Sequence, residues 1–297
     1  MNLGTLTKSK YCMKEFSEIS LHKKAPETTA RNLEDYFSDH NDAIIAYSGG
    51  VDSTLLAYVA HRTLGNKMVA ALADSPSLSR REFDAAVNFT RAHGIPLRIV
   101  QTAEMEDPLY RANQADRCYH CKKTLFQELK KLQKELAGPG SEESRPIFYG
   151  ANLDDLKDHR PGMQAAGEAS ILSPYLELGI NKNTIRALCA YYGLEVADKP
   201  AMPCMSSRIL YNEEVTLEKL RQVEEAENFL YTLDLRVLRV RHHGFTARIE
   251  VLPQDFTKIL ENRDKISKKF HDLGFTYVAL DLDGFHSGSL NTVLELP

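Results

Sequence analysis

From Arg31 onward the chain alternates short apolar runs with longer segments whose apolar residues recur every three or four positions. DAIIAY (42–47), MVAALA (68–73), LRIVQT (97–102) and PIFYGAN (146–152) have the length and content of buried strands. Helical periodicity fills the spaces between and after them, at 31–38, 52–64, 79–93, 122–137 and 183–194. In the second of these, Leu55, Leu56, Val59 and Ala60 share one face. Gly94 stops the third, and Gly138-Pro139-Gly140 stops the fourth. Strands that alternate with helices predict parallel βαβ units, hence an α/β fold with a doubly wound parallel sheet. The rhythm changes near residue 200. A loop at 197–208 leads to a charged helix (216–231), strands at 235–241 and 246–251, a helix at about 255–273 and a strand at 276–281. The expected division is an N-terminal tail of weak periodicity (1–27), the α/β domain (28–200) and a second, smaller α+β domain (201–297).

Composition adds limits. The chain has 297 residues, 43% hydrophobic and 26% charged, an ordinary globular balance that supports a sizeable core. A net charge of −4 gives no global attraction to nucleic acid or to an anionic membrane. No apolar run is long enough to span a bilayer. Lys8, Lys10 and Lys14 precede Glu15 and Glu18 with no continuous apolar stretch, which does not read as a signal peptide. The expected compartment is the cytoplasm, where five cysteines are poor candidates for structural disulfides, so their spacing carries the information.

The turn between the first strand and its helix is SGGVDS (48–53). Gly49 and Gly50 lack Cβ atoms, so the backbone can approach a ligand and aim several N–H groups at it. The helix that follows adds its positive end, and Ser48 and Ser53 add hydroxyls. The pattern is neither G-x-x-x-x-G-K-[ST] nor G-x-G-x-x-G. In place of a lysine it carries Asp52, an anion beside a phosphate site, which makes sense with Mg²⁺ between them. The alternative is a tight turn with Asp52 as a helix cap. The hexapeptide resembles the PP-loop of the ATP pyrophosphatases, which implies cleavage of ATP between its α and β phosphates. Asp74, at the end of the second strand, is placed either to meet the nucleotide or as an ordinary loop aspartate.

Cys118 and Cys121 stand in C-x-x-C spacing within RCYHC (117–121). Such a pair suits a redox disulfide, half of a zinc site, with His120, His22 and His61 as further donors, or one side of a cluster. Cys12 falls in the tail. Cys189, beside Ile185, Leu188 and Tyr192, reads as a small core residue. Cys204 lies in KPAMPCMSSRI, a loop between domains and a normal place for a reactive or ligating thiol. Three thiolates on a cubane leave one iron open to an exogenous ligand. Arg117, Lys122, Lys123 and Arg208 are cations suited to favour the thiolates.

Taken together, SGGVDSTLLA, DRCYHCK, GANLDDLKDHRPG, ILSPYLELGINKNTIRALC, DKPAMPCMSSRI, LRVRHHGFTARIEV and DLDGFHSGSLN resemble the LarE family over about residues 28–292. These are ATP-dependent sulfur insertases of nickel-pincer nucleotide biosynthesis, with a fold of the adenine nucleotide alpha hydrolase type. The resemblance implies that Ser48, Gly49, Gly50, Asp52, Ser53 and Asp74 bind ATP with Mg²⁺. It implies that Cys118, Cys121 and Cys204 ligate a 4Fe-4S cluster, as in the branch of the family that relays sulfide instead of sacrificing a cysteine sulfur. Arg208, Arg239, Arg241 and Arg248 are then the cations for substrate phosphate, Arg239 and Arg241 sharing one strand face; a solvated strand face is the alternative. Asp154, Asp155 and Glu250 read as metal or nucleotide contacts or as plain surface charges. The implied partners are a small-molecule nucleotide substrate, a sulfide donor and copies of the chain in a homo-oligomer, with no nucleic acid and no membrane. Thiolation of tRNA and a zinc-stabilised, non-catalytic ATP-binding module are the competing readings.

Overall fold

The computed structural model describes residues 25–137, 145–156, 161–200 and 202–286. Most of the expected tail, with Cys12 and His22, lies outside them. The α/β domain runs α1 (Pro26–Ser38), β1 (Ala43–Tyr47), α2 (Val51–Leu64), β2 (Met68–Asp74), α3 (Arg80–Ala92), β3 (Leu97–Gln101), α4 (Pro108–Arg111), α5 (Arg117–Ala137), β4 (Ile147–Phe148), α6 (Pro161–Glu168), α7 (Pro174–Glu177) and α8 (Lys182–Tyr191). Its four strands are all parallel, in the order β3-β2-β1-β4. Alternation along β1 and β2 sorts their side chains between two cores. Ala43, Ile45, Met68, Ala70 and Leu72 pack with α1, α2 and α8, while Ile44, Val69 and Ala71 pack with α5 and α6. Helices therefore cover both faces, and the first expectation, a doubly wound parallel sheet, is met.

The smaller unit follows: α9 (Leu217–Tyr231), β5 (Leu238–His243), β6 (Thr246–Val251), α10 (Phe256–Glu261), α11 (Arg263–Asp272) and β7 (Tyr277–Leu280). Its sheet has the order β5-β6-β7, the first pair antiparallel and the second parallel. Leu238, Val240, Ala247, Ile249 and Val251 turn one face to a core shared with Leu230, Ile259, Ile266 and Phe270. The other face carries Arg239, Arg241, Arg248 and Glu250.

Some boundaries differ from expectation for identifiable reasons. The fourth strand shrinks to two residues because the chain leaves the sheet edge after Phe148, where Tyr149 N–H donates to Leu172 O at 3.0 Å. It then passes under α2, and a Cβ on Gly150 would stand 3.1 Å from Asp52. The expected 122–137 helix begins at Arg117, so Cys118 and Cys121 sit near its N-terminus, three residues apart on one face. The expected 255–273 helix breaks at Asn262, whose backbone leaves the helical range. The short α4, α6 and α7 have too little periodic content for a sequence signal.

Candidate active site

The first part of the candidate site is the loop between β1 and α2. Gly49 adopts φ +71°, and a Cβ there would lie 2.7 Å from the Ala86 Cβ on α3, so only glycine fits this position. Gly50 precedes the first turn of α2. Ser53 closes the loop on itself. Its Oγ accepts from Ser48 N–H at 3.1 Å, lies 3.1 Å from Ser48 Oγ and donates to Gly50 O at 3.2 Å. Tyr175, fully buried, donates to Asp52 O at 2.9 Å and fixes the loop from below.

Two lysines reach this loop from distant segments. Lys182, at the start of α8, sets its Nζ 2.6 Å from Asp52 Oδ2. Lys199 donates to Gly49 O at 2.9 Å and pairs with Glu82 Oε2 at 2.6 Å. Asp74 does stand at the carboxyl end of β2, but both its oxygens are engaged. Gln101 donates to one at 2.9 Å and Arg80 pairs with the other at 2.6 Å, which together hold its carboxyl below the usual range. Asp154 and Asp155 accept from the backbone amides of Lys182 and Asn152, so they act on loop shape and on the start of α8.

The sulfur end lies where residues 202–210 meet the start of α5. Cys204 caps a single 3₁₀ turn, Met205–Arg208. Arg117, buried, donates to Ser206 O at 2.9 Å and to Asn113 Oδ1. The Asn113 amide, with no exposed surface, donates to Leu210 O at 2.7 Å and Glu213 O at 3.0 Å. Tyr110 and Ser206 share a hydrogen bond of 2.5 Å between their hydroxyls. Cys118, Cys121 and Cys204 are all free thiols in this neighbourhood, Cys118 exposed and the other two half-buried. Arg117 feels both Cys204 and Cys118; burial pulls its pKa down, and the two sulfurs raise it past its ordinary value. Burial pushes the Cys121 thiol up to about 12, against the pull of Lys122. The expected thiolate character from a neighbouring lysine is therefore overridden at Cys121 by desolvation. Cys189 is a core thiol on α8, pushed up to about 12 by burial.

Arg208 has no exposed surface. It pairs with Glu227 at 3.0 Å and caps the carbonyls of Pro203 and Cys204, the latter at 2.9 Å, so in this conformation it holds the cysteine loop and does not face solvent. On the small sheet, Arg241 stands opposite Arg248, and Arg239 opposite Glu250. Glu250 bonds Arg241 at 2.9 Å and Arg248 at 2.7 Å, and Arg248 also pairs with Asp281 at 3.1 Å. The shared face is thus buried around Arg239 and Arg241, not solvated, and Arg248 alone of the three is partly exposed. Burial and the charge of Arg208 lower Arg239 to about 10.

No family model matches the chain. An uncharacterized protein of Synechocystis sp. is 43% identical over 270 residues, 90% of this chain and 98% of that one. The pyridinium-3,5-bisthiocarboxylic acid mononucleotide synthase of Lactiplantibacillus plantarum is 32% identical over 251 residues, 84% of this chain and 89% of that one. The chain belongs to this synthase family. A subunit of the glutamine-hydrolyzing GMP synthase of Methanopyrus kandleri is 25% identical over 222 residues, 69% of this chain and 67% of that one, a likeness that accords with the PP-loop reading of residues 48–53.

In this member of the synthase family, two features bear on the implied metals. Asp52 Oδ1 is buried with no hydrogen-bond partner, an orphaned acceptor on the phosphate loop that suits a divalent cation. Among the described residues no three Cys, His, Asp or Glu side chains close on one ion-sized point. Cys118, Cys121 and Cys204 share one neighbourhood without closing on a common ion, so only the chemistry of the donors, three thiols, suits an iron–sulfur group. No helix among the described residues is long and apolar enough to cross a membrane. Lys182, Lys199, Asn113 and Tyr110 escaped the sequence reading. For the lysines a signal existed: a phosphate loop that carries an aspartate and no lysine needs cations from elsewhere.

Proposed function

We propose that this chain is an ATP-dependent sulfur insertase that converts the carboxylates of pyridinium-3,5-biscarboxylate mononucleotide to thiocarboxylates. One observation carries the reading. The 251 aligned residues shared with the synthase exceed the length of the α/β domain, so the likeness extends beyond the phosphate loop into the part that holds Cys204 and the arginine face.

The backbone amides of residues 49–53 and the start of α2 receive the β and γ phosphates. Asp52 Oδ1 would hold a Mg²⁺ ion, which when bound would supply positive charge to the phosphates, and Lys182 and Lys199 lie alongside to balance the leaving charge. A substrate carboxylate oxygen attacks the α-phosphorus, the bond to the bridging oxygen of the β-phosphate breaks, and pyrophosphate leaves. Hydrosulfide then attacks the acyl carbon, the acyl–oxygen bond breaks, AMP departs and the sulfur loses its proton. Arg248, backed by Arg239 and Arg241, holds the substrate phosphate, whose negative charge relieves the crowding of cations on that face. Cys118, Cys121 and Cys204 would hold a 4Fe-4S cluster, which when bound supplies an iron without a protein ligand where sulfide can be kept. Arg117, beside Cys118 and Cys204, stabilises the sulfur charge at that end.

Anaerobic incubation with ATP, Mg²⁺, sulfide and the biscarboxylate nucleotide tests the reading. AMP, pyrophosphate and the thiocarboxylate are expected; ADP and phosphate overturn it. Iron content and visible absorption under the same conditions test the cluster. Mass spectrometry should find Cys204 intact after turnover, since loss of hydrogen sulfide there would make the sulfur sacrificial. Asp52→Asn should slow pyrophosphate release about a hundredfold, as for removal of one charge-stabilising group, with little change in Tm. An unchanged rate would remove Asp52 from the metal site.

A further inference from the structure

The carboxyl end of β2 opens into a row of buried hydroxyls that adenylylation does not use. Ser75 donates to Glu104 Oε1. Ser75 Oγ lies 2.8 Å from Ser77 Oγ and accepts from Ser77 N–H at 3.0 Å. Glu104, Ser75 and Ser77 are all buried. From Ser77 the row passes to the cysteine loop, whose Met205 N–H donates to Ser77 O at 2.7 Å. Ser77 thus grips that loop one residue past Cys204, three residues after the end of β2.

A carboxylate accepts and cannot donate. With Glu104 at one end, Ser75 must donate to Glu104 and Ser77 to Ser75. Glu104 thereby turns the Ser75 oxygen toward Ser77, whose backbone amide it accepts and whose carbonyl holds Met205. Glu104 Oε2 is buried with no hydrogen-bond partner. An unpaired buried carboxylate oxygen is a cost to the fold, and a neutral side chain would serve a merely structural tie better.

We propose that Glu104 is a positioning residue for sulfur transfer: through Ser75 and Ser77 it holds the Met205 amide and with it the loop that carries Cys204. The inference rests on the function proposed above for that loop. Glu104→Gln preserves shape but lets the row run in either direction, and Ser75→Ala cuts it. Three readouts on the full-length protein decide: pyrophosphate release, thiocarboxylate formation, and the rate at which iodoacetamide alkylates Cys204 after iron chelation. Both variants should keep pyrophosphate release within about twofold and lower thiocarboxylate formation about tenfold, the size of one charge-assisted hydrogen bond. The alkylation rate of Cys204 should shift by a similar factor. Ser75→Thr, which keeps the hydroxyl, should behave like the unaltered protein. Unchanged sulfur transfer and alkylation in Glu104→Gln overturn the inference, as does an equal loss of pyrophosphate release and sulfur transfer. If Ser75→Ala fails to fold, Glu104→Gln, which removes no packing, still decides. Should the unaltered protein fail to thiolate the nucleotide, the proposed function falls, and the alkylation of Cys204 alone decides the role of Glu104.

Discussion

Between Ser48 and Ser53 the site is made by neighbours in sequence, whereas Cys204 is held by residues from four separate segments: Ser77, Tyr110, Arg117 with Asn113, and Arg208 with Glu227. The phosphate loop depends on backbone shape. Its glycines make room, and its hydrogen bonds run among Ser48, Gly50 and Ser53. The cysteine loop depends on buried polar side chains that each satisfy a distant carbonyl or carboxylate. The first should therefore fail when a Cβ is added, and the second when a partner is removed.

Removing a partner should give the largest effect. Arg208→Ala takes the ion-pair partner from buried Glu227 and leaves it the Val240 amide and the nearby charge of Arg239, a loss of roughly 3–5 kcal/mol, as for one half of a buried ion pair. Arg208→Met with Glu227→Gln removes both charges and keeps an acceptor for Val240, so it should recover most of that loss in urea denaturation. A loss below about 1 kcal/mol for Arg208→Ala, the level of an exposed pair, would show that the loop is not held this way. At the other end, Gly49→Ala should lose roughly 1–3 kcal/mol, from the left-handed backbone and from overlap with Ala86. Ala86→Gly in the same chain should restore only the part due to overlap. Gly50→Ala, whose Cβ would find only Ser48 Oγ at 3.5 Å, should be tolerated far better. Equal losses at Gly49 and Gly50 would refute the backbone account.

The same contrast explains what the sequence could reveal. The parallel sheet was legible because its strands are continuous apolar runs and its helices are periodic, both local signals. The phosphate loop was legible because its chemistry sits in six consecutive residues. The cysteine end was legible only as cysteines. That Arg117 and Tyr110 both grip Ser206 depends on long-range packing that no local pattern encodes. The arginine face shows the same limit. Spacing placed Arg239 and Arg241 on one face correctly, but it did not reveal that Glu250 stands among them, because the register of β5 against β6 is a tertiary fact. Arg208 illustrates it most sharply, since its charge suggested a ligand and its burial made it a scaffold.

Lys199 should give the smallest effect on stability and the most informative one on coupling. Its Nζ touches the Gly49 carbonyl and Glu82, and its own carbonyl accepts from Arg186 at 2.8 Å, so the segment entering the cysteine loop is fastened to the phosphate loop five residues before Cys204. Lys199→Met keeps the aliphatic stem and removes the charge, so about 1 kcal/mol of stability should be lost, as for a partly buried pair. A phosphate on the loop is a stronger partner for the ammonium than a neutral carbonyl. ATP should therefore draw Lys199 from Gly49 O and shift the segment that leads to Cys204. In the unaltered protein, ATP should change the rate at which iodoacetamide alkylates Cys204. In Lys199→Met that response should vanish while ATP still binds, and Lys199→Arg should restore part of it. An ATP response of equal size in Lys199→Met would mean that the two ends of the site communicate by another route, and that the contact with Gly49 is only a local brace.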